Sequence, residues 1–247
     1  MTSAELTLFP TDNDLEIPAL DPSMQAESVE MPFVLYGEQS RTTKMNGFGT
    51  LCFYTDDYRF RAVWDHPERI EAHDPASIVE PNFSLCQDMP VAMGLREVYR
   101  KRALARMMQG RGIRVFVDLN VASKFYRVNL LGVPPGWRAF CTRGYSDRPA
   151  YLEFEWMMAR EVAGGDPLFV IYGGGEKCRQ FAKERGCVYV SPMIDIKNRS
   201  RRAIKAIEQS VAFLAPGADA SRLVEEATRG IAASQIEAFN SKNTDTA

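Results

Sequence analysis

Three segments of the chain decide its fold: LCFYTDDYRFRAVW at 51–64, SIVEPNFSLCQDMP at 77–90 and GIRVFVDLN at 112–120. Each contains a short apolar run of the kind that forms a β-strand, and each run ends on polar residues. The longest predicted helix, 91–109, separates the last two; it is rich in Ala, Leu, Met and Arg and is closed by Gly110. Strands that alternate with helices in this way predict a parallel sheet.

The alternation extends over most of the chain. Further apolar runs occur at 31–37, 137–145, 167–172 and 187–191, and helices are predicted over 151–162 and 176–185. The predicted fold class is therefore α/β: a mainly parallel sheet over 31–195, open or rolled into an incomplete (β/α) barrel. Helices over 196–240 are expected to pack on this domain, followed by a disordered tail over 241–247.

The first 30 residues differ in composition from the rest. They hold seven acidic side chains and no basic one, and three prolines interrupt them, so a disordered acidic arm is expected over 1–30. Residues 31–215 hold 27 basic and 20 acidic side chains, a net charge of about +7. The arm either covers this basic body as a nucleic-acid mimic or serves only to keep the chain in solution.

Composition also excludes several classes of protein. Five cysteines without a C-x-x-C pair, and two histidines in 247 residues, argue against a zinc site and a disulfide framework. No signal peptide and no apolar window of membrane-spanning length is present, so we expect a cytoplasmic protein that does not enter a membrane.

Polar residues at the ends of the predicted strands form the candidate site, because ligands of parallel sheets bind beyond the carboxyl ends of the strands. We predict that Asp56, Asp57 and Asp118 are catalytic residues and ligands of Mg²⁺, which prefers carboxylate oxygens. Asn82, Ser84 and Asn120 are expected to line the same site. The alternative is structural: one aspartate of the 56–57 pair caps the helix predicted at 58–64, and Asp118 balances a buried arginine.

A second set of residues is suited to binding phosphate or nucleic acid. Arginine binds phosphate through paired hydrogen bonds, and a glycine turn between a strand and a helix can present backbone N–H groups to phosphate. The predicted phosphate-contacting residues are Arg96, Arg100, Arg143, Arg201 and Arg202, with Gly173, Gly174 and Gly175. The alternatives are internal ion pairs for the arginines, a solvated face on the basic helix predicted at 197–214 and a plain tight turn at the glycines.

The chain resembles one known family in a set of short motifs. These are FYTDDYRF at 53–60 with Trp64, PNFSL at 81–85 with DMP at 88–90, and Tyr99, Arg100 and Gln109 before GIRV. They are similar to a family of phage and mobile-element proteins catalogued as domain of unknown function number 4417. The resemblance covers residues 31–191 and implies a bacterial or phage intracellular protein; it does not extend to the acidic arm or to the C-terminal helices.

Three functional hypotheses follow. The first is a phage or plasmid protein acting on nucleic acid, such as a replication or DNA-processing factor or a Mg²⁺-dependent nuclease. The second is a barrel-type enzyme acting on a small phosphorylated substrate. The third is a non-catalytic factor that binds another protein. A cavity deep enough to bury a ligand favours the second.

Overall fold

The computed structural model describes residues 9–37 and 45–192, in which seven parallel strands form one sheet. The strands pair in chain order, each with the next, which confirms the predicted parallel sheet. They are β1 (Phe33–Leu35), β2 (Thr50–Cys52), β3 (Ser77–Val79), β4 (Arg114–Asp118), β5 (Ala139–Arg143), β6 (Leu168–Tyr172) and β7 (Val188–Val190).

Helical segments follow each strand from β2 to β6. They are α1 (Asp57–Phe60), α2 (Glu68–Glu71), α3 (Val91–Gln109), α4 (Tyr126–Asn129), α5 (Pro149–Ala163) and α6 (Gly175–Arg185). Asp57 was one candidate for the N-cap of α1, but Asp56 occupies that position and Asp57 is the first helical residue. Within the two described ranges, every helix is too short or too polar to cross a membrane.

The sheet curls into a nearly closed barrel. Phe33 of β1 stacks on Tyr172 of β6, with ring centroids 5.7 Å apart, and Tyr54, just after β2, stacks on the same ring at 5.7 Å. A side chain of β6 thus meets side chains from β1 and from just after β2, although β6 is a neighbour of neither strand in the sheet. The incomplete (β/α) barrel predicted from the alternation of strands and helices is confirmed.

The segment from residue 9 to residue 30 is part of this fold rather than the disordered arm expected from its composition. It crosses the amino-terminal ends of β4 and β5, where the Ala26 N–H donates to the Val115 carbonyl at 3.0 Å and the Arg138 N–H donates to Gln25 Oε1 at 2.8 Å. Its apolar side chains are buried, among them those of Ile17 and Leu20. The acidic residues and prolines of this segment are typical of disorder. Its buried positions follow neither a helical nor a strand period, so the sequence contains no local signal for the packing.

Two further contacts fix the same segment. Gln109, at the end of α3, accepts from the Asp21 N–H at 2.9 Å and donates to the Asp21 carbonyl at 3.0 Å. The Leu20 N–H donates to the Gly132 carbonyl at 2.8 Å, and the Pro18 carbonyl lies so close that Gly132 has no room for a side chain. Residues 1–8, the boundary at 195, the helices predicted over 196–240 and the tail over 241–247 lie outside the described residues.

We predict that Leu20→Ala lowers the free energy of unfolding by about 2–5 kcal/mol, because it leaves a cavity in the core. Leu20 is 3% exposed. Leu15→Ala is the matched control: Leu15 belongs to the same segment but is 52% exposed, so its loss should stay within about 0.5 kcal/mol. Equal denaturant midpoints for the two variants would show that the segment does not contribute to the core.

Candidate functional site at the carboxyl ends of the strands

A cavity of about 740 Å³ opens at the carboxyl ends of β2 to β5. Six of the residues predicted from strand ends line it: Asp56, Asp57, Asn82, Ser84, Asn120 and Arg143. The lining also contains tyrosines, a second arginine and a buried glutamate that the sequence did not single out: Tyr54, Tyr58, Tyr145, Tyr151, Arg148 and Glu155. The polar strand ends therefore converge on one cavity, as the parallel topology requires.

The two aspartates after β2 differ in their surroundings. The Asp57 carboxylate accepts from the Ser84 hydroxyl at 2.9 Å and from the Ser84 N–H at 3.1 Å, which ties the segment after β2 to the segment after β3. Asp56 is exposed, and its side chain makes no capping hydrogen bond to α1. Asp57 thus shapes the wall of the cavity, whereas the side chain of Asp56 is exposed at its edge.

Asp118, at the end of β4, is fully buried and does not line the cavity. One of its carboxylate oxygens accepts from the Tyr54 hydroxyl at 3.0 Å, and the other accepts from Lys101 Nζ at 3.2 Å. Lys101, on α3, also donates to the Asp118 carbonyl at 3.1 Å and is itself fully buried. Burial raises the pKa of the Tyr54 hydroxyl well above its ordinary value, so Tyr54 keeps the proton that it donates.

A second buried ion pair lies beside the first. Arg102, the neighbour of Lys101 on α3, donates to Glu80 Oε1 at 2.6 Å and to the Asn129 carbonyl at 2.6 Å. Glu80 in turn accepts from the Asp118 N–H at 3.2 Å, and the Asn129 side chain donates to the Asp118 carbonyl at 2.9 Å. The resulting network joins β3, β4, α3 and α4 directly beneath the cavity.

Two arginines of the cavity wall pack against the ring of one tyrosine. The guanidinium carbon of Arg143 is 5.5 Å from the centroid of the Tyr145 ring, and that of Arg148 is 5.2 Å from it. Among the described residues, the carboxylate that pairs with Arg148 is that of its sequence neighbour Asp147, at 3.7 Å. Arg143 has no carboxylate partner among the described residues, so a positive charge faces the cavity without an internal counter-ion.

The other predicted phosphate contacts lie elsewhere. Arg96 and Arg100 both bind Glu97 on α3, at 3.3 and 2.7 Å, and the Arg100 guanidinium also packs 4.1 Å from the Phe83 ring centroid. Neither arginine lines the cavity. Arg201 and Arg202 lie outside the described residues.

The glycine loop after β6 packs against the turn after β5. Gly173, Gly174 and Gly175 all have positive φ angles, of 77°, 83° and 74°. A side chain on Gly174 would overlap Cys178 and the backbone of Gly144, and the Gly173 N–H donates to the Val190 carbonyl at 2.9 Å. These contacts explain why glycine occupies positions 173 and 174. None of the three glycines belongs to the described cavity lining.

Glu155, on α5, is the buried carboxyl group of the cavity wall and is 5% exposed. Its Oε2 accepts from the Thr142 hydroxyl at 2.7 Å. Burial raises the pKa of Glu155 well above its ordinary value, and the negative charge of Asp118 adds to this increase. The cavity wall therefore contains two guanidinium groups, the carboxylates of Asp56 and Asp57, and a buried carboxyl group whose pKa is raised.

Over the ranges that the structure describes, no three His, Cys, Asp or Glu side chains come together as metal ligands. Asp56 and Asp57 share the cavity wall, while the oxygens of Asp118 bind Lys101 and Tyr54 below it. The three predicted Mg²⁺ ligands are thus not gathered at one point.

Comparison with known proteins identifies the family. Residues 9–146, more than half of the chain, match the family described as Domain of unknown function (DUF4417). The chain belongs to this family. The DUF4417 match begins at residue 9, so it includes the segment that crosses the amino-terminal ends of β4 and β5.

Two phage proteins are similar to this DUF4417 chain. The "Gene 1 protein" of Mycobacterium phage D29 is 35% identical over 109 residues, covering 43% of this chain and 40% of the relative. The "Gene 1 protein" of Mycobacterium phage L5 is 34% identical over 109 residues, covering 43% and 47%. The chain thus matches less than half the length of these relatives. No solved structure matches it.

Sequence reasoning missed Glu155 in this DUF4417 chain because α5 reads as an ordinary amphipathic helix. The signal was its position: Glu155 is three residues from Leu152 and from Met158 and four from Ala159, all of which are buried. A glutamate on the buried face of a helix needs a partner or a function. Arg148 was missed because it lies in a loop outside any predicted strand end.

We predict that Asp118→Asn lowers the free energy of unfolding by about 3–5 kcal/mol, because it leaves the buried charge of Lys101 without its carboxylate. Asp56→Asn, at an exposed carboxylate in the same region, should change stability by about 0.5 kcal/mol or less. Denaturant unfolding of both variants measures the difference.

The double variant Lys101→Met with Asp118→Asn is the internal check on this explanation. It removes the unpaired charge, so it should recover part of the stability lost in Asp118→Asn. Single variants of Asp118 and Asp56 that are equally stable would contradict the structural role of Asp118.

Proposed function

We propose that this phage-type barrel binds a small phosphorylated molecule in the cavity at the carboxyl ends of its strands and acts on it there. The observation that carries the proposal is the pair of arginines, Arg143 and Arg148, beside Tyr145 in the wall of that cavity. Guanidinium groups bind phosphate oxygens through paired, charge-assisted hydrogen bonds. An unneutralised Arg143 supplies the charge that such a ligand needs.

The size and chemistry of the cavity support a small ligand. A volume of about 740 Å³ lies within the range of cofactor and metabolite sites. Tyrosine rings provide flat walls for an apolar or ring-shaped part, and the amides of Asn82 and Asn120 offer donors and acceptors. Barrel proteins of this topology bind their substrates at this end.

In this proposal Mg²⁺ binds together with the phosphate group of the ligand and is not held permanently by the protein. Magnesium in proteins is commonly held by one or two carboxylates together with phosphate oxygens of the substrate. Asp56 is the cavity carboxylate suited to this role, because Asp57 is hydrogen-bonded to Ser84 and Asp118 is buried.

Nucleic acid is the second candidate partner. Residues 193–215 hold five basic and two acidic side chains, and the similar proteins come from phages, which supports a replication or DNA-processing role. Against it, residues 45–192 hold 20 basic and 17 acidic side chains, and several arginines of the barrel are paired. The described barrel is thus nearly neutral, and we place nucleic acid second.

The five cysteines are all free, which supports a reducing compartment such as the bacterial cytoplasm. We propose that the protein acts in this compartment.

The test is calorimetric titration of the full chain with inorganic phosphate, glycerol 3-phosphate and adenosine monophosphate, with and without Mg²⁺. We expect Arg143→Gln to weaken binding roughly 10- to 100-fold, since one charge-assisted interaction is lost. Arg160→Gln is the matched control: Arg160 is also exposed and also packs on an aromatic ring, Trp156 at 4.9 Å, but it lies outside the cavity lining.

Single-stranded DNA titrated over a salt series separates the two candidates. Binding of phosphorylated molecules that depends on Arg143 and not on Arg160 supports the cavity. DNA binding that falls steeply with salt and is the same in both variants, with no small ligand bound, would favour nucleic acid and contradict the proposal.

A further inference from the structure

Among the described residues, three carboxyl side chains are buried: Glu80, Asp118 and Glu155. Glu80 binds Arg102 at 2.6 Å, and Asp118 binds Lys101 at 3.2 Å. Glu155 differs from both because its hydrogen bond comes from the neutral hydroxyl of Thr142, at 2.7 Å, and no basic side chain of the described residues pairs with it. It is also the one of the three that lines the cavity.

The groups facing Glu155 favour its neutral form. Asp118 from β4, Tyr126 from α4 and Cys178 from α6 interact with it electrostatically, and none of them is a cation. An ionised carboxylate that is buried without a cationic partner is strongly destabilising, and this favours the protonated form. Burial accordingly raises the pKa of Glu155.

A protonated carboxyl group in this wall has a specific use. It presents an O–H donor to the same cavity that contains the guanidinium donors of Arg143 and Arg148. A phosphate group has only oxygen acceptors when fully ionised, so it matches a set of donors. An ionised Glu155 would instead repel an anion in this cavity.

We propose that Glu155 is a specificity residue of the anion site: protonated, it donates a hydrogen bond to one oxygen of the ligand's phosphate group, while Arg143 and Arg148 bind the other oxygens. The inference rests on the proposed function and adds to it the form of the ligand, a tetrahedral oxyanion. The proton stays on Glu155, and no covalent bond changes.

The protonation state of Glu155 sets the direction in which anion affinity changes with pH. Below its raised pKa, Glu155 is protonated and the donor is present; as the pH rises through that pKa, the donor is replaced by a negative charge. Anion binding must therefore weaken as the pH increases. Neither arginine nor a free thiol ordinarily titrates between about pH 5 and about pH 7.5, and the cavity lining contains no histidine.

Inorganic sulfate is the probe, because it has the shape of phosphate but stays a dianion over the range of the test, from about pH 5 to about pH 7.5. Calorimetric titration of the full chain across this range should show a sulfate affinity that falls as the pH rises. Glu155→Gln keeps the size of the side chain and an N–H donor, so its affinity should be independent of pH. Glu155→Leu removes the donor and should bind roughly 10- to 100-fold more weakly at the acidic end.

The outcomes separate this inference from the proposed function. Sulfate binding by the wild type that does not vary with pH but is lost in Arg143→Gln would overturn the role of Glu155 and leave the anion site intact. No binding of sulfate or phosphate by the wild type at any pH would overturn both. Thermal unfolding of each variant at the acidic end shows whether it is folded, and Glu155→Gln decides the question if Glu155→Leu is not.

Discussion

The structure depends on the pairing of Lys101 and Arg102, adjacent on α3, with Asp118 and Glu80 at the ends of β4 and β3. All four side chains are fully buried, so each charge depends on its partner for stability. Tyr54, Asn129 and the backbone of Asp118 make further hydrogen bonds within this network. Because the network joins β2, β3, β4, α3 and α4, it holds the carboxyl ends of these strands in register. The loops that carry Asn82 and Asn120 to the cavity begin at these ends.

The strands and the longer helices of the described chain could be predicted from the sequence, because apolar runs and glycine stops are local signals. Two features could not. The segment over 9–30 has an acidic composition typical of disorder, and its packing depends on partners far along the chain, such as Gln109 and Val115. The meaning of Asp118 was equally ambiguous, because a strand-end aspartate reads the same whether it faces a cavity or a buried lysine.

Some residues of the candidate site could likewise be predicted from the sequence and others could not. Parallel topology alone brought Asp56, Asn82, Asn120 and Arg143 to one cavity, since side chains at successive strand ends share one end of a barrel. Residues contributed by the helix after β5 were missed, because their direction depends on how α5 packs; Glu155 is the main example. The net positive charge of residues 31–215 was also a poor guide to the partner of the barrel. Most of the excess of basic residues lies outside 45–192, while the described barrel pairs many of its arginines internally.

These features together describe a barrel whose open end carries two arginines, an exposed aspartate and a buried glutamate around a cavity of about 740 Å³. The central claim is that this cavity holds a phosphate group. A crystal structure of the full chain grown with inorganic phosphate tests it most directly. We expect a tetrahedral anion within hydrogen-bonding distance of both Arg143 and Arg148, with one oxygen directed towards Glu155. Phosphate bound only to the basic residues at 197–205, with the cavity holding water alone, would contradict the account.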